Sequence, residues 1–98
     1  MIIGQAVMVA DGGTRGYMVL NIQKTTDNST YDTAAENYSN NFHVDSYSGV
    51  SCEFIFDVTN TTTHKVRFAI ENNHNGIINL GDSGNDRTTA KFIRLGDT

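Results

Sequence analysis

Val50-Ser51-Cys52-Glu53-Phe54-Ile55-Phe56-Asp57-Val58 is the stretch on which the fold class turns. Side chains of an extended chain point alternately to opposite faces. Val50, Cys52, Phe54, Phe56 and Val58 therefore line one side, and Ser51, Glu53 and Asp57 the other. This twofold period reads as a half-buried β-strand, with the apolar side as core. Beyond the polar link Thr59-Asn60-Thr61-Thr62-Thr63 the period returns, with Val66, Phe68 and Ile70 alternating against Lys65, Arg67 and Glu71. On this register Phe54 and Phe56 share the buried face, and truncating either is expected to destabilise the domain severely.

Upstream, Met18, Leu20 and Ile22 alternate with Val19, Asn21 and Gln23, which turns Met18, Leu20 and Ile22 inward. Earlier still, Ile3, Val7 and Val9 lie opposite Gly4, Ala6 and Met8. The glycine-rich segment Asp11–Gly16 is expected to fold these first two runs into a hairpin. Asn72-Asn73-His74-Asn75-Gly76 predicts a second tight hairpin turn, because Asn-Gly tolerates positive φ, with Ile77 to Leu80 returning as a strand. Phe42 and Val44 open a short strand ending near Tyr47-Ser48-Gly49, and Ala90 to Leu95 forms the last one. The period fails between Thr25 and Asn41. There a polar loop, Thr25 to Thr30, precedes a stretch whose one local pattern is a brief helical turn around Thr33-Ala34-Ala35-Glu36. About seven strands with turns every ~8–12 residues predict an all-β fold, an antiparallel β-sandwich spanning residues 1–98 as one domain.

Composition agrees with many short strands and turns. Asn, Thr, Ser and Gly fill 38 of 98 positions, and there is no proline. The net charge is −4 and no basic cluster occurs, so the chain lacks the Lys/Arg stripe that phosphate backbones or anionic membranes require. No apolar run approaches the ~20 residues of a membrane-spanning helix, and Met1-Ile2-Ile3-Gly4 lacks the features of a signal peptide. The single cysteine, Cys52, can form no intrachain disulfide, which points to synthesis in a reducing cytosol.

Residue patterns that would carry catalysis are missing. His43, His64 and His74 are scattered without ligand spacing, and read as surface or turn residues. Asp82-Ser83-Gly84-Asn85-Asp86 lacks the ordered ligand spacing and terminal glutamate of an EF-hand. Cys52 lies on the apolar side of its strand, where a nucleophile would need an exposed, electropositive setting. No nucleophile elbow, phosphate-cradling loop or dinucleotide fingerprint occurs. The expectation is a non-enzyme without cofactor or metal. Its candidate binding residues are Tyr31, Tyr38 and Tyr47, rigid aromatics set among Asn, Asp and Ser.

Three segments carry a resemblance. The run Val50 to Val66 contains the phrase DxxxTxxHKV, Gly16 to Thr30 resembles an R/GYxxLxIxxTTDNSTY hairpin, and Phe92 to Thr98 resembles a closing strand and terminus. Together they resemble structural proteins of marine tailed phages. The resemblance implies a jelly-roll domain like the heads of complement and tumour-necrosis-factor proteins, assembled as a homotrimer in a tail fibre or receptor-binding appendage. Other virion proteins and a host surface glycan are the partners it implies, and the virion, built in the host cytoplasm, is the location. A capsid decoration protein is the rival within the same class, and a lectin or glycan-acting enzyme the rival from another. Members of this family carry further strands before the equivalent of Ile2–Ala10. The expectation is therefore a fragment, or an apolar first strand whose edge is left for a second chain to cover.

Overall fold

The computed structural model describes residues 1–10, 16–41, 47–73, 77–80 and 88–96. They form seven strands: β1 (Ile2–Ala10), β2 (Gly16–Thr25), β3 (Asp32–Asn41), β4 (Tyr47–Phe54), β5 (Lys65–Asn72), β6 (Ile77–Leu80) and β7 (Thr89–Phe92). Every pairing is antiparallel, and no helix occurs among the described residues. One sheet is built around β1, with β4 along one side and both β6 and β7 along the other. The second has the order β3-β2-β5.

Alternation in β2 works as read from the sequence. Met18, Leu20 and Ile22 are fully buried and face β1 and β4, where Ala6, Met8 and Val50 complete the core. Val19 and Asn21, on the opposite side of β2, are also buried, because flanking β3 and β5 side chains cover the middle of the sheet. In β1 the buried side is Ile2, Gly4, Ala6 and Met8, and Ile3, Val7 and Val9 are half-exposed. Gly4 permits a close approach: a Cβ placed there would stand 2.9 Å from the Phe68 ring.

Four expectations are corrected. The first two runs form no hairpin, since β1 and β2 belong to different sheets. The same holds for β5 and β6 on either side of the Asn-Gly segment. Turn residues reveal where a chain reverses, but not which sheet its next strand joins. The stretch read as having no period, with a helical turn at Thr33–Glu36, is strand β3. Its period is hidden by an irregularity in which Ile22 faces Ala35 and Gln23 faces Thr33, leaving Ala34 unopposed. Its side chains are also small or polar on both faces, as suits a sheet edge. Lastly, β1 is not an edge: it pairs with β4 over Ile2–Val9 and with β7 and β6 on its other side.

Burial falls steadily along the molecule. Cys52 and Ile70 pack partly exposed against the core, and Phe54, Phe56, Val66 and Phe68 are half-buried. Val58, expected in the core, is 45% exposed. The physical reason is that β4 stops at Phe54, so nothing carries the alternating register on to residue 58. The short strand expected at Phe42 and Val44 lies outside the described residues apart from its end at Tyr47.

The β2–β3 loop is fixed by one carboxylate. Asp27 Oδ1 accepts from the backbone N–H of Ser29 and Thr30 and from the Thr25 hydroxyl, each at 2.8 Å. Asn28 meanwhile takes a left-handed φ of 62°. The Thr30 and Ser29 amides, followed by the Thr25 hydroxyl, hold the Asp27 carboxyl below its ordinary value of 3.8. A depressed carboxylate stabilises the fold above its unfolded pKa, and that contribution disappears as pH falls through the folded value. Asp27→Asn is therefore expected to melt below the parent at neutral pH, with the two curves converging as pH drops below 3.8. Thermal melts between about pH 2 and 7 check this.

Candidate functional site

At the end where burial falls away, the space between the sheets opens into a groove of about 940 Å³. Three separated segments supply most of its walls, with Met1, Ile2 and Tyr31 completing them. Ile55 to Val58 follow β4, His64 to Val66 lead into β5, and Phe92 to Gly96 follow β7. The β7 segment is tied to the start of β1, where Met1 and Ile93 exchange two backbone hydrogen bonds. Large apolar side chains stand open to solvent here: Ile55 is 67% exposed, Phe92 66% and Leu95 63%, with Val58 and Ile93 beside them. Aromatic contacts order the deeper wall. Phe68 meets Phe92 edge-on at 6.2 Å, Phe54 and Phe56 are 5.7 Å apart, and Phe56 stacks on His64 at 5.5 Å.

The groove has no catalytic geometry among the described residues. His64 Nδ1 accepts the Thr59 N–H at 3.1 Å, and the Asn60 side chain accepts the N–H groups of Thr62 and Thr63. The histidine is thus a fixture of the Asn60–His64 turn. Burial pushes the Cys52 thiol up, and its Sγ rests 3.8 Å from the Leu20 carbonyl oxygen, the opposite of an activated nucleophile. No group of three His, Cys, Asp or Glu side chains gathers among the described residues. His43, His74 and the Asp82–Asp86 loop lie outside them.

The three tyrosines singled out in the sequence do not converge. Tyr31 immediately precedes β3, Tyr38 lies in its second half, and Tyr47 opens β4 in the other sheet. Tyr31 lines the groove, with the Arg67 guanidinium 4.0 Å over its ring and Arg67 Nε donating to Gln23. Tyr38 instead pairs with Tyr17, ring centres 6.0 Å apart, and its hydroxyl donates to Glu36 at 3.3 Å. The Glu36 charge, with lesser help from burial and Glu71, raises the Tyr38 pKa. Tyr17 was missed because the alternation of β2 marks it only as an outward residue. Its signal is the diagonal cross-strand position next to Tyr38, visible once β2 and β3 are paired.

Comparison with known proteins gives no family. No family model matches the chain, and no curated protein or solved structure matches it significantly.

Proposed function

We propose that this chain is a self-associating β-sandwich of the jelly-roll kind, a structural and binding domain of a phage virion that acts without catalysis. The observation that carries the assembly part is the apolar groove, a core left open at one end. Phe54, Phe56, Val66 and Phe68 have the alternation of buried residues yet only half the burial, and Ile55, Phe92 and Leu95 are exposed next to them. A second copy offering the same apolar end is the occupant this exposed face fits, and threefold closure follows from the resemblance to phage appendage proteins. Tail-fibre or receptor-binding placement rests on that resemblance too.

The test is solution mass by light scattering across a dilution series. A mass about three times 10.8 kDa is expected, falling to 10.8 kDa when Phe92→Asp and Leu95→Asp are combined. A monodisperse 10.8 kDa species at every concentration, with cooperative melting, overturns the assembly reading. For the virion role, electron microscopy of intact particles is decisive: density at a tail appendage supports it, many copies over the shell favour decoration, and absence from particles removes both.

A further inference from the structure

We propose that the outer edge of β5 pairs with β5 of a second copy, antiparallel about a twofold axis at Phe68, so that two three-stranded sheets become one continuous sheet. The contact lies beside the groove, and of its residues only Lys65 and Val66 also line that groove, so either interface can fail without the other. Strand order singles out this edge. The edges formed by β3 and β4 turn toward each other: the Asn37 side-chain amide donates to the Ser51 carbonyl at 2.8 Å, and the Ser48 hydroxyl to that of Asn40 at 2.7 Å. β6 and β7 offer four residues each. β5 has eight, and no described strand pairs with its far side.

Hydrogen bonding fixes which groups the edge presents. The Asn73 N–H donates to the Tyr17 carbonyl, so Glu71, Ala69, Arg67 and Lys65, at steps of two, also turn their backbone toward β2. Val66, Phe68 and Ile70 therefore turn their N–H and C=O groups to the far side. A partner strand must meet those three residues. The run Lys65-Val66-Arg67-Phe68-Ala69-Ile70-Glu71 is symmetric about Phe68 in its large apolar residues and opposite in charge at its ends. Antiparallel pairing about Phe68 sets Val66 against Ile70 and Phe68 against its own copy, each pair exchanging both backbone hydrogen bonds. Between them Lys65 falls opposite Glu71, and Arg67 opposite Ala69, in the pairs whose side chains stand closest. Lys65 and Glu71 are both exposed, so each end of the contact gains an ion pair, and half-buried Val66, Phe68 and Ile70 gain cover. Moving the axis one residue back sets Arg67 against Arg67. Moving it one forward sets Val66 against Asn72, and its ion pairs, Arg67 with Glu71, take Arg67 from Tyr31 and Gln23. Charge on a sheet edge ordinarily keeps strands apart; here its placement favours one register with one partner. An eight-residue strand falls well short of the ~20–30 residues a side of a stable interface. The pairing is therefore weak, and forms in concentrated protein or between copies already held together.

Disulfide trapping in concentrated solutions of the full chain tests the register. Cys52→Ala removes the native thiol, and Lys65→Cys and Glu71→Cys are made separately on that background, each verified to melt like it. Mixed under a mild oxidant, the two chains should form the 65–71 cross-link about tenfold or more faster than either links to itself. Residues directly opposite stand within disulfide reach, whereas like positions are displaced along the strand. The remaining Glu71–Lys65 pair supplies a second readout. Glu71→Lys on the first chain should slow the cross-link severalfold, and Lys65→Glu added on the second should restore it. The preference should persist with Phe92→Asp and Leu95→Asp in both chains, which remove the groove contact. Equal rates for all three products, faster self-linking of an Arg67→Cys or Ala69→Cys chain, indifference to the charge reversals, or loss of the preference with the groove substitutions would each overturn the pairing.

Discussion

Leu20→Ala is expected to lower the melting temperature by roughly 10 °C or more, and to leave a substantial unfolded fraction at physiological temperature. Leu20 is almost wholly buried at the centre of β2, between β3 and β5 and over Ala6, Met8 and Val50. Neighbours on every side belong to paired strands and cannot collapse into the space left. Such truncations cost about 2–5 kcal/mol, against a total stability of about 5–15 kcal/mol for a domain, and each kcal/mol moves the midpoint of a chain this size by about 4–8 °C. Phe56→Ala is the informative contrast. Phe56 is half-buried beyond the end of β4, so the loss in a dissociated chain should be the smaller of the two. Differential scanning calorimetry of both variants decides: a Phe56→Ala penalty matching that of Leu20→Ala in dilute protein would place the packing centre wrongly.

Gly4→Val is expected to destabilise by about 1–3 kcal/mol through overpacking. The cause lies across the core. A Cβ at residue 4 would meet the Phe68 ring at 2.9 and 3.0 Å and the Leu20 side chain at 3.6 Å. Valine adds two further methyls in the same direction, so Phe68 must swing away and lose its edge contact with Phe92. Because the obstacle is a side chain, the damage should be partly reversible: adding Phe68→Leu to Gly4→Val should recover stability relative to the sum of the single changes. A double-mutant cycle by urea denaturation measures this coupling. Additivity would mean that Gly4 is kept for backbone reasons unrelated to Phe68.

How far the sequence revealed the fold depends on which strand is considered. In β2 and the first half of β4, large apolar residues alternate with polar ones, and Met18, Leu20, Ile22 and Val50 are buried as that period requires. From Phe54 onward the same pattern continues in the sequence, but the strand does not, so the period overstated the burial of Phe56 and Val58. β3 escaped notice because backbone pairing with β2 defines it, whereas its side chains carry almost no apolar signal and its register slips at Ala34. The surfaces were harder still. Tyr38 was recognisable by type, but Tyr17, Asn21 and Glu71 become its neighbours only through the β3-β2-β5 order, and the groove draws on segments some forty residues apart. Local chemistry marks strands; partner choice is a global property, and the two expected hairpins failed on that distinction.

The position of β1 has a consequence for biogenesis. Ile2 pairs with Phe54 and with Phe92, and Val7 with Leu80, so every ladder of this strand closes a loop of some forty to ninety residues. β2 and β3, by contrast, join across a six-residue connection and can zip together early. A nascent chain therefore carries β1, with its apolar Ile2, Ile3, Val7, Met8 and Val9, without any partner until β4 has left the ribosome, and with its other side uncovered until β6 and β7 follow. Distant pairings of this kind make for slow folding, and a strand waiting for them is a natural target for chaperones or for cross-pairing between chains on one polysome. Production of this domain would then be governed by how β1 is sheltered during translation, and yields should respond to slower synthesis or added chaperone more than to changes on the finished surface.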